Sequence, residues 1–285
     1  VHTSELVKSK ITNFKRVLVI GGLGYIGSTL VPMLLKKKLK VNILDKNYYG
    51  NHLSQKIIKD PNLKIIKGDC LNKAKLNEAL EGCSDVIHLG EIVGDPAVKI
   101  NHNFSIKNNF EATVFVLSEC IKNKIDKFIF ASSCSVYGET PRRCTEKSEL
   151  NPLSLYAKCK IECEKTISSF KSKDFCPVIL RLATVYGDSP RKRFDLVVNR
   201  FTVMAIQKIK IKLFGANSWR PFISVQDVSR AILTVLNSKN SKVKNKIFNV
   251  GSDKENYRIK DIIKELKKYI KINYQTVNQK NDERN

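Results

Sequence analysis

The stretch RVLVIGGLGYIGSTLVPMLLKKK, residues 16–38, restricts this chain more than any other. A short apolar run ends in glycine, and the run after it places its apolar residues at helical spacing. The first reads as a buried parallel strand and the second as a helix. Between them Gly21, Gly24 and Gly27 fall at the spacing G-x-x-G-x-x-G. Each glycine answers a different need. The first permits the tight turn, the second lets the backbone come close to a pyrophosphate, and the third lets the helix pack against the sheet. The helix N-terminus then offers free N–H groups to an anion. Such a pattern reads as a dinucleotide cradle only in a strand–turn–helix context, which is where it sits here.

Further segments repeat the alternation. KVNILD (40–45), LKIIKGD (63–69), DVIHLG (85–90), KFIFASS (127–133) and CPVILRLATVYG (176–187) read as strands, while EATVFVLSECIKN (111–123) and SLYAKCKIECEKTISSF (154–170) read as helices. Strand–helix alternation of this length predicts an α/β fold, a doubly wound, Rossmann-like parallel sheet. A hydrophobic share of 42% is enough for its core. After about residue 187 the alternation loosens, and a second, smaller lobe is expected. Asp45 closes the second strand, where a carboxylate takes the adenosine ribose hydroxyls and repels a 2′-phosphate. NAD is therefore expected rather than NADP, although Lys46 follows immediately.

The charge balance raises a competing possibility. Lysine and arginine number 51 against 27 acids, for a formal net charge of +24, which invites a nucleic-acid partner. But only 11 of the 51 are arginine, and the lysines are scattered through every segment. Phosphate and base recognition favours clustered arginine and aromatic platforms. The reading adopted is no nucleic acid, with the same field welcoming an anionic small substrate. No apolar run approaches the ~20 residues that span a bilayer. The opening VHTSELVKSKITNF has no apolar signal core. A cytoplasmic protein with no membrane partner is expected. The 8 cysteines form no C-x-x-C pair and no metal-ligand spacing, so reduced thiols and no metal are expected.

In SLYAKCK (154–160), Tyr156 stands four residues before Lys160, so on a helix the two side chains share a face. Composition alone supplies about one such pair. The pair gains meaning from its order after Gly21, Gly24, Gly27, Asp45 and FASSCSVYG (130–138). That order resembles the extended short-chain dehydrogenase/reductases of the NAD-dependent nucleotide-sugar epimerase/dehydratase family. GDCLN (68–72), RLATVYG (181–187), WRPFISVQDV (219–228) and NVGSD (249–253) extend the resemblance over nearly the whole chain.

The resemblance implies a Rossmann domain over 12–187 and a mainly substrate-binding lobe over 188–285, with 219–240 returning to the first domain. It implies that Ser133, Tyr156 and Lys160 are catalytic. It implies that Tyr25, Ile26, Asp69, Leu89 and Asn109 join the three glycines, Asp45, Tyr156 and Lys160 around NAD. Ser133, Asn199, Arg220 and Arg284 would hold a nucleotide-diphosphate sugar. A homodimer through the helices at about 111–123 and 156–171 is also implied, and the chain is expected to stop short of the family's usual end. A free tyrosine loses its proton near pH ~10. A cation beside it favours the phenolate. Lys160 is therefore expected to loosen the Tyr156 proton, so that the phenolate takes a proton from a sugar hydroxyl while hydride leaves for NAD, with Ser133 orienting the same oxygen.

Departures from the family narrow the reaction. Its dehydratases place an acidic pair after the catalytic hydroxyl residue; here those positions are Cys134 and Ser135, which argues against 4,6-dehydration. The cysteine of some 3,5-epimerases would fall at Ser135. Cys134, one residue off, is expected to face the other side of the strand as packing. Glu91 replaces a small residue of the family, in HLGE for HLAA, and a carboxylate near a pyrophosphate has no account at this level. The first reading is a nucleotide-sugar 4-epimerase working through a keto intermediate. The second is a net 4-dehydrogenase/reductase, because residues 181–201 are similar to a segment of bacterial nucleotide-heptose 4-dehydrogenases. A non-catalytic NAD-binding regulator is the third, and the intact Ser133, Tyr156 and Lys160 argue against it.

Overall fold

A computed structural model describes residues 15–277 apart from 94–97, 99, 141–142 and 171. Its central sheet takes β1 (Arg16–Ile20), β2 (Lys40–Asp45), β3 (Leu63–Lys67), β4 (Asp85–His88), β5 (Lys127–Ser133), β6 (Cys176–Leu182) and β10 (Lys246–Val250). The spatial order is β3-β2-β1-β4-β5-β6-β10, and every neighbouring pair is parallel. Chain direction across the sheet reverses between β1 and β4. In such sheets the crevice for a ligand opens at the carboxyl ends of those two strands.

Alternation along β1 sends Val17 and Val19 to one face and Leu18 and Ile20 to the other. The first pair joins a core with Leu30 and Leu34 of α1 (Gly27–Lys36) and Val228 and Ile232 of α8 (Val225–Asn237). The second joins Leu76 of α3 (Lys73–Leu80), Val116 and Leu117 of α5 (Ala112–Lys122) and Ile167 of α6 (Leu155–Ser169). Helices therefore cover both faces, which is why the strands read as continuous apolar runs. The remaining helices around this sheet, α2 (Gln55–Ile58), α4 (His102–Ile106) and α9 (Asn240–Val243), are short. Between α4 and α5 the chain makes a π-helical turn over Lys107–Glu111, which buries Asn108 and Asn109. Such turns are rare and concentrate near functional sites.

The apolar run 176–187, expected to be one strand, is two. β6 ends at Leu182, and β7 (Thr184–Tyr186) leaves the central sheet to pair with β9 (Trp219–Ser224). The Ala183 N–H still donates to the Val250 carbonyl of β10 at 2.9 Å, so the strand changes partner just after it. β9 also pairs with β11 (Asn256–Arg258), and β8 (Ile211–Leu213) pairs with β12 (Tyr274–Thr276). These strands, α7 (Val197–Ile206) and α10 (Ile259–Leu266) enclose a separate core of Phe201, Ile211, Leu213, Phe222, Ile259, Ile262 and Ile263. All eight cysteines are free thiols. Among the described residues no helix is long and apolar enough to cross a membrane, and no group of His, Cys, Asp and Glu could hold a metal ion.

Candidate active site

The glycine turn is tight in the way its spacing requires. Gly21 has φ +78°, and a Cβ there would lie 2.7 Å from Gly90 Cα. A Cβ on Gly27 would lie 2.5 Å from the Gly21 carbonyl oxygen. At Gly24, chain neighbours aside, that oxygen at 3.1 Å is the one atom within 4 Å of an added Cβ. The outer face of the turn is thus clear for a pyrophosphate, and Ile26 immediately precedes the first residue of α1. Asp45 is drawn onto the turn: its Oδ2 accepts from the Leu23 N–H at 3.0 Å and its Oδ1 from the Asn47 N–H at 2.8 Å. A carboxylate has about four acceptor sites, so a ribose diol can still be taken. Lys46 turns aside to Asp69 at 2.8 Å and Asn108 at 2.6 Å. Asp69 also accepts from the Leu71 N–H. These residues fit an NAD-type dinucleotide.

Ser133 ends β5 and starts the 3₁₀ turn Cys134–Tyr137, accepting from the Ser135 N–H at 3.1 Å and leaving its own O–H to donate. Ser154 caps α6 through the Ala157 N–H, which sets Tyr156 in the first turn and Lys160 one turn later. The Lys160 Nζ lies 5.5 Å from the Tyr156 ring centroid and 4.5 Å from that of Phe130. It donates to the Ala131 carbonyl and pairs with Glu91. Both side chains of that pair are 3% exposed. The expected loosening of the Tyr156 proton is not what this environment does. Burial pushes the phenol up, Lys160 opposes it, and Glu91 pushes the same way as burial. Burial likewise pushes the Glu91 carboxyl up against the pull of Lys160.

Several residues named for ligands have protein partners. Asn199 accepts from the Gly187 N–H at 2.9 Å and donates to the Arg193 carbonyl at 2.9 Å and the Tyr25 hydroxyl at 3.1 Å. Tyr25 in turn donates to the Gly187 carbonyl at 2.7 Å. Together they hold the 187–193 segment over the start of α1. Asn109 exchanges two hydrogen bonds of 2.8 Å with the Ile92 backbone, which fixes the stretch after β4. Leu89 packs against the core of α1, its N–H donating to the Ile20 carbonyl at 2.9 Å. The charge of Arg220 on β9 opposes the burial that raises the Cys134 thiol. Burial raises the Cys134 thiol to about 11, and the side chain packs with Val136, Tyr137 and Ile161. It is packing, as expected, but from a 3₁₀ turn and not through strand alternation. The Ser135 hydroxyl is buried without a hydrogen-bond partner among the described residues. Arg284 lies outside the described residues.

Reading the sequence alone missed Arg193, whose charge acts on both Tyr156 and Tyr25. It also missed the partner of Glu91. The one signal available was the departure itself, an acid where the family has a small residue.

Residues 17–251 match the family described as NAD dependent epimerase/dehydratase. The chain is 35% identical over 231 residues to an uncharacterized UDP-glucose epimerase, YtcB, of Bacillus subtilis (strain 168), covering 78% of this chain and 72% of that one. It is 30% identical to a UDP-N-acetyl-alpha-D-glucosaminuronate decarboxylase of Bacillus cytotoxicus, covering 85% and 76%. The crystal structure of a UDP-glucuronic acid 4-epimerase from Bacillus cereus, in complex with UDP-glucuronic acid and NAD, superimposes with a TM-score of 0.81 at 29% identity, covering 92% and 86%.

Proposed function

The chain belongs to the NAD dependent epimerase/dehydratase family, and on that premise we propose that it interconverts the C4 epimers of a nucleotide-diphosphate sugar. One observation carries the reading. Ser133 at the end of β5 and Tyr156 with Lys160 on α6 supply a hydride-transfer set, while the two positions after Ser133 hold Cys134 and Ser135 and no carboxylate to expel water.

Bound NAD supplies the hydride acceptor. Ser133 donates to the sugar C4 oxygen and holds it against the phenol. Tyr156 takes the C4 hydroxyl proton as that carbon becomes a ketone, and returns it when the ketone is reduced from the other face. Lys160 stabilises the phenolate formed in between. Arg220 on β9, whose charge acts on Cys134 of the catalytic turn, would supply a guanidinium fork to the diphosphate. Asn199 acts on that side indirectly, by fixing the 187–193 segment. Arg284 is proposed as a further contact to the diphosphate, and a homodimer through α5 and α6 as the assembly.

The test is incubation of the purified protein with UDP-hexoses, followed by NMR and by absorbance at the NADH band. The expected result is the C4 epimer with no net absorbance change, because the hydride returns in every turnover. Stoichiometric NADH with no epimer would replace this reading by a net 4-dehydrogenase. Light scattering is expected to give twice 32.4 kDa.

A further inference from the structure

The stretch after β4 is held in place from two sides. Gly90 abuts Gly21 so closely that a Cβ on Gly21 would overlap it, and the Ile92 backbone is gripped by the Asn109 amide. Glu91 between them is aimed inward, and its carboxylate meets the Lys160 ammonium. Neither of its oxygens has a hydrogen-bond partner of good geometry among the described residues. A carboxylate taken out of water with so little compensation is costly unless its charge is used by a neighbour. The neighbour is the lysine whose charge the Tyr156 phenol needs.

We propose that Glu91 is a positioning residue of the reaction: by pairing with Lys160 it withholds the lysine's charge from the Tyr156 hydroxyl, so that the phenol keeps its proton in the free protein. The inference rests on Tyr156 being the base of the proposed reaction. It explains the departure from the family at this position, since a small residue there would leave Lys160 to act on the phenol alone. The phenolate becomes accessible only when the ammonium leaves Glu91, for instance for the hydroxyls of a bound ribose. The base is thereby coupled to occupancy of the site. Other titratable or charged groups facing this cluster are His88 on β4, Cys134 on the 3₁₀ turn, Cys159 and Cys163 on α6, and Arg193 on the 187–193 segment. Burial holds His88 and the three thiols in their neutral forms near neutral pH, with Cys134 shifted to about 11 and Cys163 to about 12. Arg193 is paired with Asp195, which leaves Glu91 and Lys160 as the close charged pair.

The experiment is a pH titration of tyrosinate absorbance on the purified protein, with no sugar added and with the Tyr156→Phe spectrum subtracted to isolate one phenol. In the unsubstituted protein the midpoint is expected above the ~10 of free tyrosine. Glu91→Gln keeps the shape and removes the charge, and is expected to lower the midpoint by about one pH unit or more. Glu91→Asp, which restores the charge, is expected to move it back towards the unsubstituted value. A purely structural role for Glu91 would change thermal stability and leave the midpoint alone. Equal midpoints in the unsubstituted protein and Glu91→Gln would overturn the proposal. So would a midpoint below ~10 in the unsubstituted protein, a result that needs no variant to fold. Because no sugar enters the titration, a shifted midpoint without epimerisation would remove the proposed reaction and leave the Glu91–Lys160–Tyr156 coupling standing.

Discussion

Arg181 on β6 and Glu164 on α6 form a buried two-pronged pair beneath the catalytic turn. The Arg181 Nη2 reaches the Glu164 Oε2 at 2.6 Å and its Nε reaches Oε1 at 3.1 Å. The Ser132 hydroxyl donates to the same carboxylate. The other arm of Arg181 donates to the Tyr137 hydroxyl at 2.8 Å, and Tyr137 donates to Asn249 at 2.6 Å. One carboxylate thus joins the strand that ends in Ser133 to the helix that carries Tyr156 and Lys160. Glu164 sits one turn beyond Lys160.

Removing one partner of this pair leaves an uncompensated buried charge. Glu164→Ala is expected to cost about 3–5 kcal/mol of folding stability, read from the midpoint of urea unfolding. Replacing both residues with apolar ones is expected to recover most of that loss. The double variant should still turn over slowly, because α6 loses its register against β5. If Glu164→Ala unfolds at the unsubstituted midpoint, the pair does not hold the site.

Tyr156→Phe removes one proton and little else. Turnover is expected to fall by about 10²–10⁴-fold, the usual worth of general acid–base catalysis. NAD affinity by calorimetry is expected to stay near the unsubstituted value. Ser133→Ala is expected to fall by less, since Ser133 orients the oxygen without receiving its proton. A Tyr156→Phe enzyme retaining about a third of the rate would remove Tyr156 from the role of base.

His88 gives the fold an acid-sensitive element. Its Nε2 lies 3.0 Å from the Thr113 hydroxyl, whose own hydrogen goes to the Asn109 carbonyl at 2.6 Å. The histidine must therefore donate from Nε2, and its buried Nδ1 has no partner among the described residues. Burial, with help from Lys160, pulls its pKa down to about 3. The unfolded chain takes up this proton near pH ~6.5 and the folded one does not. The stability it contributes is fully present above that value and is lost as pH falls towards about 3. The slope is about 1.4 kcal/mol per pH unit. Urea unfolding between pH 4 and 7 is expected to show that component, and His88→Leu to flatten it. Equal slopes in the two proteins would contradict this account.

Some of this was legible in the sequence for a local reason. The glycines of the first turn, Asp45, and the Tyr156–Lys160 spacing are each dictated by a few bonds of backbone or one turn of helix. The break at Ala183 was not, because an apolar run looks the same whether it serves one sheet or two. The partners of Asn199 and Asn109 were not legible either. Asn109 bonds the Ile92 backbone from the π-helical turn and Asn199 bonds the 187–193 segment and the Tyr25 hydroxyl, and an amide carries no mark of which partner it will meet. Glu91 was visible as an oddity, but its meaning needed the approach of β4 to α6.

Cofactor choice gives the last test. Asp45 places one carboxylate oxygen on the glycine turn and the other on the backbone just after β2. Lys46, the nearest cation in sequence and the one that would welcome a 2′-phosphate, is already paired with Asp69 and bonded to Asn108. Both arrangements favour a ribose diol over a phosphate. The unsubstituted protein is therefore expected to bind NAD well ahead of NADP in calorimetry. Asp45→Asn keeps an acceptor for the Leu23 N–H and removes the charge, so the turn should survive. The preference is expected to shrink by about tenfold or more, the worth of one charged hydrogen bond. Asp69→Asn should act in the same direction by a second route, since it frees Lys46 to meet a phosphate. Equal affinity for the two cofactors in the unsubstituted protein would show that Asp45 serves only the turn.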